Sequence, residues 1–232
     1  MQLVQTPRDA LLKPLSTVAG IVERRHTLPI LANILLRKQG STVTFIATDL
    51  EVQITTHADF GVGKDNESLT VAARKLVDIL RALPDSGDVR LGTSGGKLAV
   101  QAAKSRFSLQ TLAATEFPTM SQPDRWDVSL TLSRKTLKHL FNMVHFAMAQ
   151  QDIRYYLNGM LLVFEPGRLR AVATDGHRLA HSATAAEGIE TRHEVIVPRK
   201  TVLEMQRLLD DSDEPVTVDV AAGQIRFTFG QV

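Results

Sequence analysis

The chain repeats itself, and this narrows the possible folds more than any other property of its sequence. "LANILLRKQGSTVTFIATDLE" (31–51) is similar to "YLNGMLLVFEPGRLRAVATDGHR" (156–178): Asn33 aligns with Asn158, and "ATD" at 47–49 with "ATD" at 173–175, offsets of 125 and 126. "VAARKLVDILRALPD" (71–85) aligns in the same way with "VPRKTVLEMQRLLDD" (197–211), placing Arg74 on Arg199. A duplication of this length makes each copy one domain with its own core, and 232 residues are enough for two. The polar, proline-bearing "ATEFPTMSQPDRWD" (114–127) reads as the join, so domains are expected at 1–122 and 128–232.

A shorter repeat runs inside each copy. Segments beginning "PRDALLKPL" at 7, "ARKLVDIL" at 73, "SRKTLKHLF" at 133 and "PRKTVLEMQRLL" at 198 share a small residue or proline, an arginine and then an amphipathic run. Leu76, Val77, Leu80 and Leu83 recur at helical spacing, as do Leu137, Leu140, Phe141 and Val144. Proline or serine just ahead of the run is a helix-start signal. Pro14 predicts a kinked or shortened first helix. Between the helices the period falls to two, in 42–48, 97–103, 106–112, 167–174 and 224–229, and glycine-bearing turns such as "TSGGK" and "EPGR" separate the strands. Each half-domain therefore reads as strand, helix and about three strands. The expected class is α+β, with two tandem domains, each made of two strand-helix-three-strand units, and helices covering one side of antiparallel sheets. The second copy stops earlier than the first, so a truncated second domain is expected.

Composition sets limits on function. There are no cysteines, which rules out disulfides, thiolate metal sites and a cysteine nucleophile and fits a reducing cytoplasm. No apolar run reaches the roughly 20 residues of a membrane span. "MQLVQTPRDALLKPL" lacks a basic segment followed by an apolar one, so a secretory signal is not expected and the predicted location is cytoplasmic. With a net charge of +2, a nucleic-acid partner has to be argued from where the charges lie.

Arg8, Arg74, Arg134 and Arg199 each fall in the first turn of a predicted helix, where a cation opposes the helix dipole at a cost of roughly 0.3–1 kcal/mol. Their recurrence at equivalent positions points to a shared use, and arginine beside free N–H groups suits a phosphate. Lys135, Lys138, Asn142 and His145 share one helix face, as do Arg74 with Arg81 and Lys200 with Arg207, interrupted by Asp78 and Glu204. A solvated face explains any one helix; the repetition favours a duplicated surface that meets nucleic-acid backbone.

"VATDGHRLAHS" (172–182) gathers Asp175, His177, Arg178 and His181. Its counterpart "ATDLEVQITT" keeps the threonine and aspartate and drops the histidines and the arginine, so the shared pair reads as an Asx-type turn. The added residues have three readings: a metal site of Asp175, His177 and His181 serving a hydrolase, histidines satisfied within the fold, or a binding surface. "GTSGGK" (92–97) has the wrong spacing for a phosphate loop and reads as a hairpin turn. No G-x-S-x-G nucleophile elbow occurs.

The motifs "TLPILANILL", "TDLE", "ARK", "SRFSL", "QDIRYYLNGML", "VATDGHRLA" and "VIVPRK" follow one another along nearly the whole chain. In this the sequence resembles the β subunit of the bacterial replicative DNA polymerase, the sliding-clamp family. The resemblance implies domains one and two of three, in a protein that forms a head-to-tail homodimeric ring around double-stranded DNA. Helices would line the hole, with sheets outside. It implies no enzymatic activity and no cofactor, and its partners would be the replicative polymerase and clamp-loader subunits. By matching positions it implies Arg25 and Gln151, with Arg74, Arg199 and Lys200, as DNA contacts. Leu157, Thr174, Gly176, His177, Arg178 and Leu179 would form one wall of a partner-peptide groove completed by domain three. Lys75, Ile79, Phe107 and Leu109 would form the ring's dimer edge.

Overall fold

The computed structural model describes residues 1–23, 28–85 and 87–232. The chain divides into two compact units, Met1–Met120 with Gln231–Val232, and Ser121–Gly230. The first runs β1 (Gln2–Pro7), α1 (Arg8–Ala19), β2 (Asn33–Gln39), β3 (Thr42–Thr48), β4 (Gln53–Asp59), β5 (Glu67–Ala72), α2 (Ala73–Ala82), β6 (Asp88–Ser94), β7 (Lys97–Ala102) and β8 (Ser105–Ala113). This is the expected strand, helix and three strands, twice. The sheet order is β1-β6-β7-β8-β5-β2-β3-β4, so the leading strand of each half pairs within the other half: β1 on β6 and β5 on β2.

The second unit repeats the exchange. It comprises β9 (Val128–Ser133), α3 (Arg134–Asn142), β10 (Gly159–Glu165), β11 (Arg168–Thr174), β12 (Leu179–Ala185), β13 (His193–Pro198), α4 (Arg199–Leu208), β14 (Pro215–Ala221) and β15 (Gln224–Thr228). Its sheets are β12-β11-β10-β13 and β15-β14-β9. Period-two alternation sends one face of each strand to the helices. Val128, Leu130, Val216, Val218 and Val220 are buried on one face, and Phe227 meets Phe141 of α3 edge to face at 6.1 Å. In the first unit, Leu11, Leu15 and Val18 of α1 and Leu76, Val77 and Leu80 of α2 are buried with Phe45, Leu91 and Val100. Each fully buried side chain of this kind is worth roughly 1.5–3 kcal/mol.

The turns form where the residues allow them. Gly95 and Gly96, with φ of 57° and 71°, close the β6–β7 hairpin, as two successive positive φ angles require. The expected kink at Pro14 is not a helix stop. α1, at 12 residues, is the longest helix among the described residues and carries Pro14 buried in its interior. Proline removes the N–H that would reach the Ala10 carbonyl; Ala10 is exposed, so water can satisfy that carbonyl while the ring packs inward.

The four first-turn arginines do share a use. Arg8 donates to the Leu83 carbonyl at the end of α2 (2.8 Å) and pairs with Asp85, while Arg74 at the start of α2 donates to the Val22 carbonyl beyond α1 (3.2 Å). In the second unit Arg134 pairs with Asp210 beyond α4 (3.0 Å) and Arg199 reaches the Met148 carbonyl beyond α3 (3.5 Å). The two helices of each unit are therefore antiparallel, and the start of one lies beside the end of the other. A cation that opposes its own helix dipole there meets a carbonyl or carboxylate of the segment that ends or follows its neighbour. The recurrence of arginine thus has a structural use inside each unit, which engages only some of the five N–H donors of each guanidinium.

Candidate functional site

The β11–β12 turn is built by two side chains. Thr174 Oγ1 donates to the Arg178 carbonyl (2.7 Å) and accepts from the Gly176 N–H (3.1 Å). Asp175 Oδ1 accepts from the N–H groups of His177 and Arg178, both at 3.0 Å, and Oδ2 pairs with Arg178 Nε at 3.0 Å. These bonds hold the Asp175 carboxyl below its ordinary pKa, the Arg178 backbone N–H contributing most, then that of His177. The first unit makes the same turn: Thr48 Oγ1 donates to the Val52 carbonyl (2.9 Å), and Asp49 Oδ1 accepts from Glu51 (3.0 Å) and Val52 (2.7 Å). The shared "TD" is an Asx-type turn in both copies.

This arrangement leaves Asp175 committed to the turn rather than to a metal. Among the described residues no group of three or more His, Cys, Asp or Glu is placed to hold an ion, so Asp175, His177 and His181 do not assemble the ligand set that the hydrolase alternative needs.

The turn instead presents an exposed ledge. Gly176, His177 and Arg178 are exposed, Leu179 is 67% exposed, and Thr174 is half-buried. Leu157, at the end of a 3-10 turn (Tyr155–Leu157), is buried, so it is fixed where Leu179 is open. Arg178 lies over the Phe146 ring, 5.7 Å from its centroid, a cation–π contact. Arg154 stands against the other side: a Cβ added to Gly176 (φ 89°) would lie 3.2 Å from Arg154 Nη2. Phe146 and Arg154 belong to this ledge and were not singled out from the sequence. Arg154 lies inside "QDIRYYLNGML", a usable signal; Phe146 meets Arg178 from 32 positions away in the chain, which periodicity cannot reveal.

The loop before β10 is tied down by its own polar groups. Asn158 Oδ1 accepts from the Asp152 N–H and Nδ2 donates to the Asp152 carbonyl, both at 2.9 Å. Asp152 receives Arg154 through Nε (3.0 Å) and Nη2 (2.9 Å), and its pKa is lowered from 3.8 to about 2, chiefly by the Arg154 side chain. Gln151 is exposed at φ 57°, and Ile153 is 96% exposed. Arg25 lies outside the described residues. Arg74 is exposed, and Arg199 and Lys200 are half-buried at the start of α4.

Lys75 is exposed and Ile79 half-buried on α2. On β8, Phe107 is half-buried opposite Val100, and Leu109 is buried opposite Leu98. The expected apolar edge is therefore divided: the apolar side chains turn into the unit, while the backbone edge is open. The ladder from β8 to β5 covers Thr111–Ala113, leaving Ser105–Gln110, among the described residues, paired to β7 alone.

Comparison with known proteins agrees with the duplication. Residues 2–121 match the family "DNA polymerase III beta subunit, N-terminal domain", and residues 131–232 match its central domain. The chain is 46% identical to the beta sliding clamp of Pseudomonas putida over 97% of its length and 42% identical to that of Escherichia coli over 96%. It spans about 61% of the length of each of these relatives. The crystal structure of the DNA polymerase III subunit beta from Pseudomonas aeruginosa superposes with a TM-score of 0.94 at 44% identity, covering 99% of this chain and 62% of that one.

Proposed function

The chain belongs to the DNA polymerase III beta-subunit family, and on that premise we propose that it supplies two domains of a DNA sliding clamp. The clamp is a cytoplasmic ring that encircles duplex DNA and tethers the replicative polymerase and clamp-loader subunits, and it catalyses no reaction. One observation carries this reading: the same piece, with its leading strand exchanged, is built into both units, and each unit overlaps most of one family domain. A ring gains residence on DNA from topology, so the modest net charge of +2 is no obstacle.

In this reading Arg25, Gln151, Arg74, Arg199 and Lys200 meet the phosphate backbone. The free backbone of Ser105–Gln110, with Lys75, Ile79, Phe107 and Leu109 beside it, joins the partner protomer head to tail; pairing removes an edge that is otherwise an aggregation hazard. The ledge of Thr174, Gly176, His177, Arg178 and Leu179, with Leu157 behind it, receives linear peptides from replication proteins. Its rigid turn and open leucine suit an apolar anchor residue.

The full-length protein loaded on circular duplex should be retained, and cutting the circle should release it from the free ends at unchanged salt. Retention on linear DNA that responds only to salt would end the ring assignment. Leu179→Ala should weaken peptide binding by about 1–3 kcal/mol, read by fluorescence polarisation.

A further inference from the structure

Residues 121–127, "SQPDRWD", read in the sequence as linker, yet they lie against the outward face of the β15-β14-β9 sheet. Strand register puts Ser129, Asp219 and Arg226 in one row across the three strands, on the face opposite Leu130, Val218 and Phe227. Asp219 is buried, with its side chain 6% exposed. Ser129 Oγ donates to its Oδ1 (2.7 Å), and Arg226 Nε and Nη2 both donate to its Oδ2 (3.0 and 2.8 Å).

The guanidinium fixed in this way has a second task. Its central carbon lies 4.4 Å from the centroid of the Trp126 ring, and Nη1 donates to Gln122 Oε1 (3.0 Å). Gln224 Nε2 donates to the Ser121 carbonyl (3.1 Å), and the Asp127 N–H donates to the Val220 carbonyl (2.8 Å). Because Asp219 already orders Arg226, stacking the indole costs little further side-chain freedom. The preceding stretch is held in the first unit by separate contacts: Phe117 is buried against Leu35 and Ile46, and the Met120 N–H donates to Gln53 Oε1 (2.9 Å).

We infer that residues 121–127 are a latched strap of the second unit, closed by the stack of Trp126 on an arginine that a buried aspartate holds from below. Residues up to Met120 are held by contacts within the first unit, and those from Ser121 by contacts within the second. The latch rests on these contacts alone and is independent of the clamp reading.

Trypsin supplies the test, because the Arg125 side chain is 86% exposed and cleavage there requires the strap to lift. Protection at Arg125 is measured as the cleavage rate of a matching free peptide divided by that of the 232-residue protein. Protection of roughly tenfold or more is expected in the wild type, falling severalfold in Arg226→Lys, which keeps a cation on Asp219 but loses the planar stack. Trp126 is the single tryptophan, so acrylamide quenching of its emission should rise in the same variant. Trp126→Leu leaves the Asp219 pair intact and, against its own peptide, should lose protection with an unchanged melting temperature. A wild type cut as fast as the peptide, or protection unchanged in both variants, would overturn the latch.

Discussion

Leu50 and Gly176 occupy the same place in two copies of one turn, with φ of 81° and 89°. Glycine adopts that conformation without strain and leucine does not, since its Cβ crowds the backbone there. Leu50→Gly should therefore stabilise the first unit by about 0.5 kcal/mol in a denaturant titration, despite the added freedom of the unfolded chain. Gly176→Ala should cost at least about 1 kcal/mol, because it combines the disfavoured φ with a 3.2 Å approach to Arg154. Asp152 yields a prediction in acid. Its folded pKa of about 2 lies below the ordinary 3.8, so its contribution is complete above 3.8 and is lost as the pH falls through about 2. A carboxyl titration followed by NMR should show Asp152 inflecting near the lower value, and Arg154→Ala should return it towards the ordinary one. At this scale the turn was legible, because threonine and aspartate satisfy neighbouring N–H groups within a few residues. The Arg178–Phe146 contact was not, because it joins residues that only folding brings together.

Helix starts and strand faces could be read from periodicity, because burial on one side of an element leaves its mark in that element alone. Arg8, Arg74, Arg134 and Arg199 show where this stops. Their recurrence was visible, and a phosphate was one explanation; the antiparallel neighbour, whose last residues or following segment each arginine meets, was not visible. Arg134 is mostly buried, lies over the Phe229 ring at 5.6 Å and pairs with the exposed Asp210, so Arg134→Ala should destabilise the second unit by about 1 kcal/mol, mainly through the lost packing and stack. Lys135→Ala, one residue on and exposed, should fall within about 0.5 kcal/mol of wild type. Differential scanning calorimetry of the two variants would separate the roles.

Taken as a whole, the molecule has little free positive charge to offer the duplex that the proposed function assigns to it. Lys138 pairs with Asp211 (3.1 Å) and Arg207 with Glu204 (2.8 Å), so part of the basic helix surface is already neutralised. Under the proposed function, Arg74→Ala should lower the slope of log affinity against log salt by about 1, while Gln151→Ala should weaken binding with no change of slope, since glutamine displaces no counterion. Salt titrations on short duplexes would distinguish them.

The duplication, the two-part organisation, the helix starts and the "TD" turn all follow from residue order, because each depends on interactions spanning a turn of helix, a hairpin or a single periodic face. The exchange of leading strands, the antiparallel arginine contacts, the strap held by Arg226 and the ledge shared by Arg154, Phe146 and Leu179 required the folded chain. A strand's alternation says which side is buried but not which strand lies beside it; that neighbour is set by where distant segments meet when the core closes.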